Sequence, residues 1–192
     1  MTLINCLGTK VDDYIIPPFK LIEGDYLTIS VPYLFNSKID SKILDAITSS
    51  VNKEDSNLSV NGNISTVKDS IGEVSLWKKI FCNFSLNTYL QEKYNLNKIE
   101  IEKLLSKNNL HEYEKIFSIG ANEKKIISVQ IALLKYNHII VDTIGMDYKG
   151  IEMLYQILQN REKEQTIIEI RYPTFNDFSF FEKTSKIVIE TI

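Results

Sequence analysis

Apolar and polar positions along the chain first alternate and later recur at helical spacing. Thr2–Cys6 and Tyr26–Val31 are rich in residues that suit a pleated, half-buried surface, and Gly24-Asp25 supplies a turn before the second. Both are expected to be strands. Asp40 or Ser41 suits the cap of a following helix, with Ile43, Leu44 and Ile47 on one face. Residues 57–64 then alternate and turn at Asn61-Gly62, which predicts a hairpin.

From Ser85 to Ile116 the spacing is helical, with Ser85 and Asn97 as caps. Glu100 stands three residues after Asn97, the arrangement of a capping box. Ile99, Leu104 and Leu105 are expected on one buried stripe. Beyond Ser118 helix and strand alternate. Asn122–Lys135 is a helix apolar nearly all round, and Ile139-Ile140-Val141 is a short strand ending at Asp142. A helix over Ile151–Asn160 turns Met153, Leu154, Ile157 and Leu158 inward, and Thr166–Ile170 and Lys186–Ile189 are further strands. Strands joined by helices imply a mainly parallel sheet with both faces covered.

Composition narrows the functional classes. A chain of 192 residues is long enough for a sizeable core. A net charge of −3 leaves no electrostatic footprint for nucleic acid or an anionic membrane. Cys6 and Cys82 have neither metal-ligand spacing nor the number for a disulfide framework, which favours a reducing compartment. No signal peptide is expected at the start. The longest weakly charged stretch, Tyr26–Ile39, is broken by Pro32 and Lys38 and is too short to span a bilayer. Direct membrane insertion is therefore not expected.

Six segments, in order, carry a family resemblance. Gly24-Asp25-Tyr26 looks like the turn that enters a phosphate-loop strand. Asn61-Gly62-Asn63-Ile64 matches a β-arm, and Ile71-Gly72-Glu73-Val74 resembles the strand before a Q-loop. Phe117-Ser118-Ile119-Gly120-Ala121 resembles a worn Leu-Ser-Gly-Gly-Gln signature. Ile139-Ile140-Val141-Asp142 resembles a Walker B strand, and Gly145-Met146-Asp147 the D-loop after it. Together they resemble the nucleotide-binding domain of an ATP-binding cassette (ABC) transporter. That resemblance implies an α/β, P-loop NTPase-like core with a mainly parallel sheet, an N-terminal antiparallel β portion and a helical insertion. It implies one domain over residues 1–192: a β-rich part and core start at about 1–75, a helical subdomain at 76–116 and the rest of the core at 117–192.

The chemistry of that family is nonetheless incomplete here. A phosphate loop needs glycines so that backbone N–H groups can converge on phosphate, a lysine to reach the β- and γ-phosphates, and a Ser or Thr on magnesium. No glycine occurs between Gly24 and Gly62. The expected position reads Val31-Pro32-Tyr33-Leu34-Phe35-Asn36-Ser37-Lys38-Ile39-Asp40-Ser41. Pro32 lacks an N–H, three bulky residues follow it, and Asp40 repels anions. Thr143 stands where the catalytic glutamate would follow Asp142, and Ser75 or Leu76 replaces the Q-loop glutamine. The switch histidine is missing from Glu169-Ile170-Arg171-Tyr172-Pro173. Losing loop, base and switch together is expected to abolish phosphoryl transfer in cis.

What the resemblance implies is a non-catalytic subunit that pairs with a competent ABC ATPase and an integral-membrane permease, at the cytoplasmic side of a membrane. Ser118 and Gly120 would contact nucleotide in trans, any ATP and magnesium being held by the partner and none in cis. Asp142 is a degenerate Walker B position, and Gly145, Met146 and Asp147 would lie at the dimer interface. Trp77, Phe81 and Phe84 would line the groove that receives the permease. Plainer readings exist for each: Ser118 as a helix cap, Asp142 as the polar end of a strand, the aromatics as core. Two other functions stay open. One is an adaptor, regulatory or peptide-immunity subunit without nucleotide chemistry; the other is an ATPase with an irregular loop using Lys38.

Overall fold

In the computed structural model, residues 1–11, 14–31, 57–67, 71, 85–116, 118–171, 185–188 and 190–191 are described. The expected helix after Asp40, the positions from Pro32 to Ser41, Gly72 to Leu76, Trp77, Phe81, Phe84, Phe117 and the Tyr172-Pro173 pair lie outside them. The strands are β1 (Thr2–Cys6), β2 (Thr9–Val11), β3 (Tyr14–Ile16), β4 (Phe19–Ile22), β5 (Tyr26–Ser30), β6 (Leu58–Val60) and β7 (Ser65–Thr66). Helices α1 (Leu86–Tyr94), α2 (Lys98–Lys107) and α3 (Ala121–Lys135) follow. The chain closes with β8 (His138–Asp142), α4 (Tyr148–Gln159), β9 (Thr166–Arg171), β10 (Ser185–Val188) and β11 (Glu190–Thr191).

The chain divides into two compact units, one of residues 1–67, 135–144 and 160–192, the other of residues 68–134 and 145–159. In the first unit, five strands in the order β10-β5-β9-β8-β7 form a wholly parallel sheet. Two antiparallel sheets, β4-β1-β6 and β11-β3-β2, accompany it. An apolar cluster joins Leu3, Ile4 and Leu21 of the antiparallel part to Leu27, Ile29, Ile140, Ile168 and Ile170 of the parallel sheet. Strand β5 is buried along its whole length, and β9 along all but its last residue. Burial on both faces explains why the apolar runs there are nearly continuous.

The two strands still carry polar side chains on one face, at alternate positions. Glu169, fully buried, accepts from the Tyr26 hydroxyl at 3.0 Å and the Thr28 hydroxyl at 3.2 Å. Arg171 reaches back along its own strand and donates from Nε and Nη2 to the two oxygens of Glu169, each at 3.1 Å. The buried charge is thereby paired and hydrogen-bonded, the condition under which it can be tolerated. The turn before β5 is also locked. Arg161 donates to the Gly24 carbonyl at 3.0 Å and lies over the Tyr26 ring. Burial lowers the Arg161 pKa, with Tyr26 and Asp25 opposing the shift.

The expected hairpin at Asn61-Gly62 does not form. β6 pairs with β1 in an antiparallel sheet, whereas β7 pairs with β8 in the parallel one. The Asn61 N–H goes to the Leu3 carbonyl at 2.8 Å, and Gly62 at φ +115° re-aims the chain from one sheet to the other.

The second unit is held by a separate apolar cluster. Leu86, Tyr89 and Leu90 of α1 meet Ile101, Leu104 and Leu105 of α2, and Ile127 and Ile131 of α3 complete it. Ser85 caps α1, its hydroxyl accepting from the Thr88 N–H. Asn97 caps α2 with the expected box: its Oδ1 accepts from the Glu100 N–H at 3.0 Å, and the Glu100 carboxylate accepts from the Asn97 N–H at 2.8 Å. Two expected inward residues face out. Ile99 is 76% exposed and its stripe place is taken by Ile101, and Met153 of α4 is exposed while Leu154 and Leu158 are buried. No described helix is long and apolar enough to cross a membrane.

Candidate functional site

The signature-like turn is built from its apolar pins outward. Ile116 and Ile119 are both buried in the second unit's core, while Ser118 between them is exposed. The Ser118 N–H donates to the Lys115 carbonyl at 2.9 Å and its hydroxyl to the same oxygen at 2.7 Å. Ser118 therefore closes this turn and is not the cap of α3. Gly120 takes the capping place: its carbonyl accepts the Lys124 N–H at 3.0 Å, the first bond of the helix. Both Ser118 and Gly120 are exposed.

Gly120 has the carboxylate of Glu123, the movable end of an exposed side chain, beside it. A Cβ built there would run into the Glu123 carboxylate, with Cδ 3.3 Å away and Oε1 3.7 Å away. Glu123 thus folds back from the first turn of α3 over the cap residue. An acidic group in that position complements the positive end of the helix.

The D-loop-like turn is capped from inside the same unit. Asp147 accepts the Gly150 N–H on Oδ1 at 2.8 Å and the Ile151 N–H on its carbonyl at 3.0 Å, so it is the N-cap of α4. Gly145 sits at φ +75° with open space around it; backbone torsion, not crowding, calls for glycine. Met146 is half-buried and Asp147 exposed.

Asn122 ties the two turns together. Its Oδ1 lies 3.4 Å from the Asp147 N–H nitrogen, and its amide occupies the space a Cβ on Gly150 would need: Oδ1 2.6 Å and Nδ2 2.8 Å from that point. The start of α3 is thereby seated on the start of α4, one residue beyond the signature-like segment. Sequence reasoning missed Asn122, Glu123 and Gly150. A glycine inside the otherwise helical Tyr148–Gln159 stretch was the available sign, because it costs helix stability unless something packs against it.

Asp142 closes β8 in the first unit. Its Oδ1 accepts the Ile144 N–H at 3.0 Å, and the residue is half-buried. A carboxylate at the carboxyl end of a parallel strand stands where open α/β sheets bind ligands. Among the described residues no cluster of three or more His, Cys, Asp or Glu side chains is arranged to hold a metal ion.

No protein-family model matches the sequence, and no curated protein matches it significantly. Solved structures do match its fold. An ATP-binding protein assigned to an ABC transporter of Pyrococcus furiosus superimposes with a TM-score of 0.64 at 16% identity, over 97% of this chain and 96% of that one. An ABC transporter assigned to the metal-chelate type, in an inward-facing conformation, gives 0.60 at 16% identity over 88% and 73%. A nucleotide-free ATP-binding cassette from an ABC transporter gives 0.57 at 16% identity over 89% and 81%. At this level of identity the likeness is one of fold, and the fold is that of the ATP-binding cassette.

Proposed function

We propose that the chain is a non-catalytic nucleotide-binding-domain subunit that pairs with a motif-complete ABC ATPase beneath an integral-membrane permease. In that assembly it is cytoplasmic and peripheral to the membrane. It holds no ATP or magnesium in cis.

The observation that carries this reading is a pairing of fold with sequence. The chain has the cassette fold, yet the segment after β5 runs from Val31 to Ser41 without one glycine. Pro32 brings no N–H, and Tyr33, Leu34 and Phe35 lack the glycine freedom with which a phosphate loop turns its N–H groups inward. The signature-like turn, by contrast, keeps Ser118 and Gly120 exposed at the open end of a 15-residue helix. ABC sites are composite, one subunit's phosphate loop and Walker B strand facing the other's signature. Here the partner supplies ATP, magnesium and the catalytic glutamate, and Ser118 exchanges its bond to the Lys115 carbonyl for one to the γ-phosphate. The Gly145–Asp147 turn lies at the pair's interface. The site built on this chain's own loop stays inactive.

Replacing Ser118 by glutamate tests the composite site. A charge-assisted hydrogen bond is worth about 1.5–3 kcal/mol, so the complex is expected to lose about 10- to 100-fold in ATPase rate while remaining paired. Unchanged hydrolysis by an intact Ser118→Glu complex, or failure to pair with any ABC ATPase, rejects this reading. The second reading, an adaptor without nucleotide chemistry, is favoured by one feature: the Glu123 carboxylate over Gly120.

A further inference from the structure

We infer that Asn122 is a positioning residue: its amide, seated against Gly150, fixes the signature-like turn and the Gly145–Asp147 turn as one rigid face toward the partner ATPase. The inference rests on the composite-site reading and adds to it the joint that keeps the two turns in register.

Both turns belong to the second compact unit, but they are anchored differently. The Ser118 turn is pinned by Ile116 and Ile119 in the apolar cluster that joins α1, α2 and α3. Among the described residues, that cluster includes none of α4. The start of α4 meets the start of α3 through Asn122, which is half-buried. Two separate features converge on its amide. Oδ1 lies 3.4 Å from the Asp147 nitrogen, and the amide stands where a Cβ on the buried Gly150 would be. Glycine inside a helix is otherwise unfavourable, so the room it makes here is matched to the asparagine. Asp147 passes the contact on: its Oδ1 accepts the Gly150 N–H at 2.8 Å, and its carbonyl accepts the Ile151 N–H at 3.0 Å. A shift of either turn is thereby carried to the other. A composite site needs that accuracy, because a misplacement of about 1 Å can cost a large part of the rate.

Spin labels on Ala121→Cys and Lys149→Cys, both exposed and at the two helix starts, read the joint in the isolated chain, with Cys6 and Cys82 replaced by alanine. The distribution of distances between them is expected to broaden by about 1–2 Å in Asn122→Ala, the scale on which packed helices shift. Gly150→Ala acts from the other side of the contact. It is expected to broaden the distribution as much, and the two together no more than either alone. In the complex with the ABC ATPase subunit, each variant is expected to lower turnover at saturating magnesium-ATP by about 3- to 30-fold, with half-saturation unchanged. Hydrolysis is counted per intact complex, so that a loss of folded chain alone leaves it unmoved. An unchanged distance distribution overturns the joint, whatever becomes of the composite site. If the distribution broadens and Ser118→Glu lowers hydrolysis, but Asn122→Ala complexes turn over at the wild-type rate, the positioning role is wrong and the composite site stands. If neither Ser118→Glu nor Asn122→Ala alters hydrolysis, the composite site is wrong and the positioning role falls with it.

Discussion

Removing the Arg171 guanidinium would take a counter-charge from a carboxylate buried in the middle of the parallel sheet. Glu169 has no exposed surface, and Arg171 is its cationic partner through two contacts of 3.1 Å, with only 15% of the arginine side chain exposed. In Arg171→Met the carboxylate keeps the Tyr26 and Thr28 hydroxyls as donors but loses the Arg171 charge. Breaking a buried pair at one end costs about 3–5 kcal/mol, and the Tyr26 and Thr28 hydroxyls, which still donate, place this case near 3. For a chain of this length that is a fall of about 6–12 °C in melting temperature. Urea denaturation of the wild type and of Arg171→Met measures it. A second variant, Glu169→Gln with Arg171→Met, removes the charge and keeps an acceptor for both hydroxyls. It is expected to recover at least half of the loss. A penalty below about 1 kcal/mol for Arg171→Met, or a double variant no more stable than the single one, would refute the claim that the charge is the problem.

Two further variants probe the helical unit. Gly150→Ala forces the Asn122 amide out of its seat and is expected to cost about 1–3 kcal/mol in denaturant melts, with Asn122→Ala in the same chain restoring part of it; additivity of the two would show that they do not touch. Asn97→Ala removes the acceptor half of the α2 capping box and is expected to cost about 0.5–2 kcal/mol, read by thermal melts, whereas no change would mean that α2 is held by packing alone.

Much of the fold was legible because the local signals agreed with the burial that followed. The apolar runs of β5, β8 and β9 are bounded by turns and sit where a parallel sheet buries both faces. The Asn97–Glu100 box depends on neighbours three residues apart and so could be read directly. The hairpin could not be judged that way. Asn-Gly turns the chain in either case, but whether β6 and β7 pair depends on β1 and β8, which are distant in sequence. Ile99 misled for a similar reason. It is apolar on a helix whose buried side is fixed by Leu104, Leu105 and Ile101. At the candidate site Ser118, Gly120 and Asp147 were found as motif letters. Their physical employment was hidden, because the bond to Lys115, the Glu123 carboxylate over Gly120 and the Asn122–Gly150 seat are contacts of side chains whose direction no pattern gives. The Glu169–Arg171 pair was open to view. A glutamate within Thr166–Arg171, followed two residues on by arginine, lies on the same strand face as its partner.

The central claim is that this chain has the cassette fold without the means to hold ATP by itself. Calorimetric titration of magnesium-ATP into the purified chain tests it most directly. The account predicts no binding in the micromolar range, no hydrolysis above background, and no difference between the wild type and Lys38→Ala, since the sequence from Val31 to Ser41 has none of the glycines a phosphate loop needs. Micromolar, magnesium-dependent binding that Lys38→Ala abolishes would contradict it and restore the chain to the working ATPases.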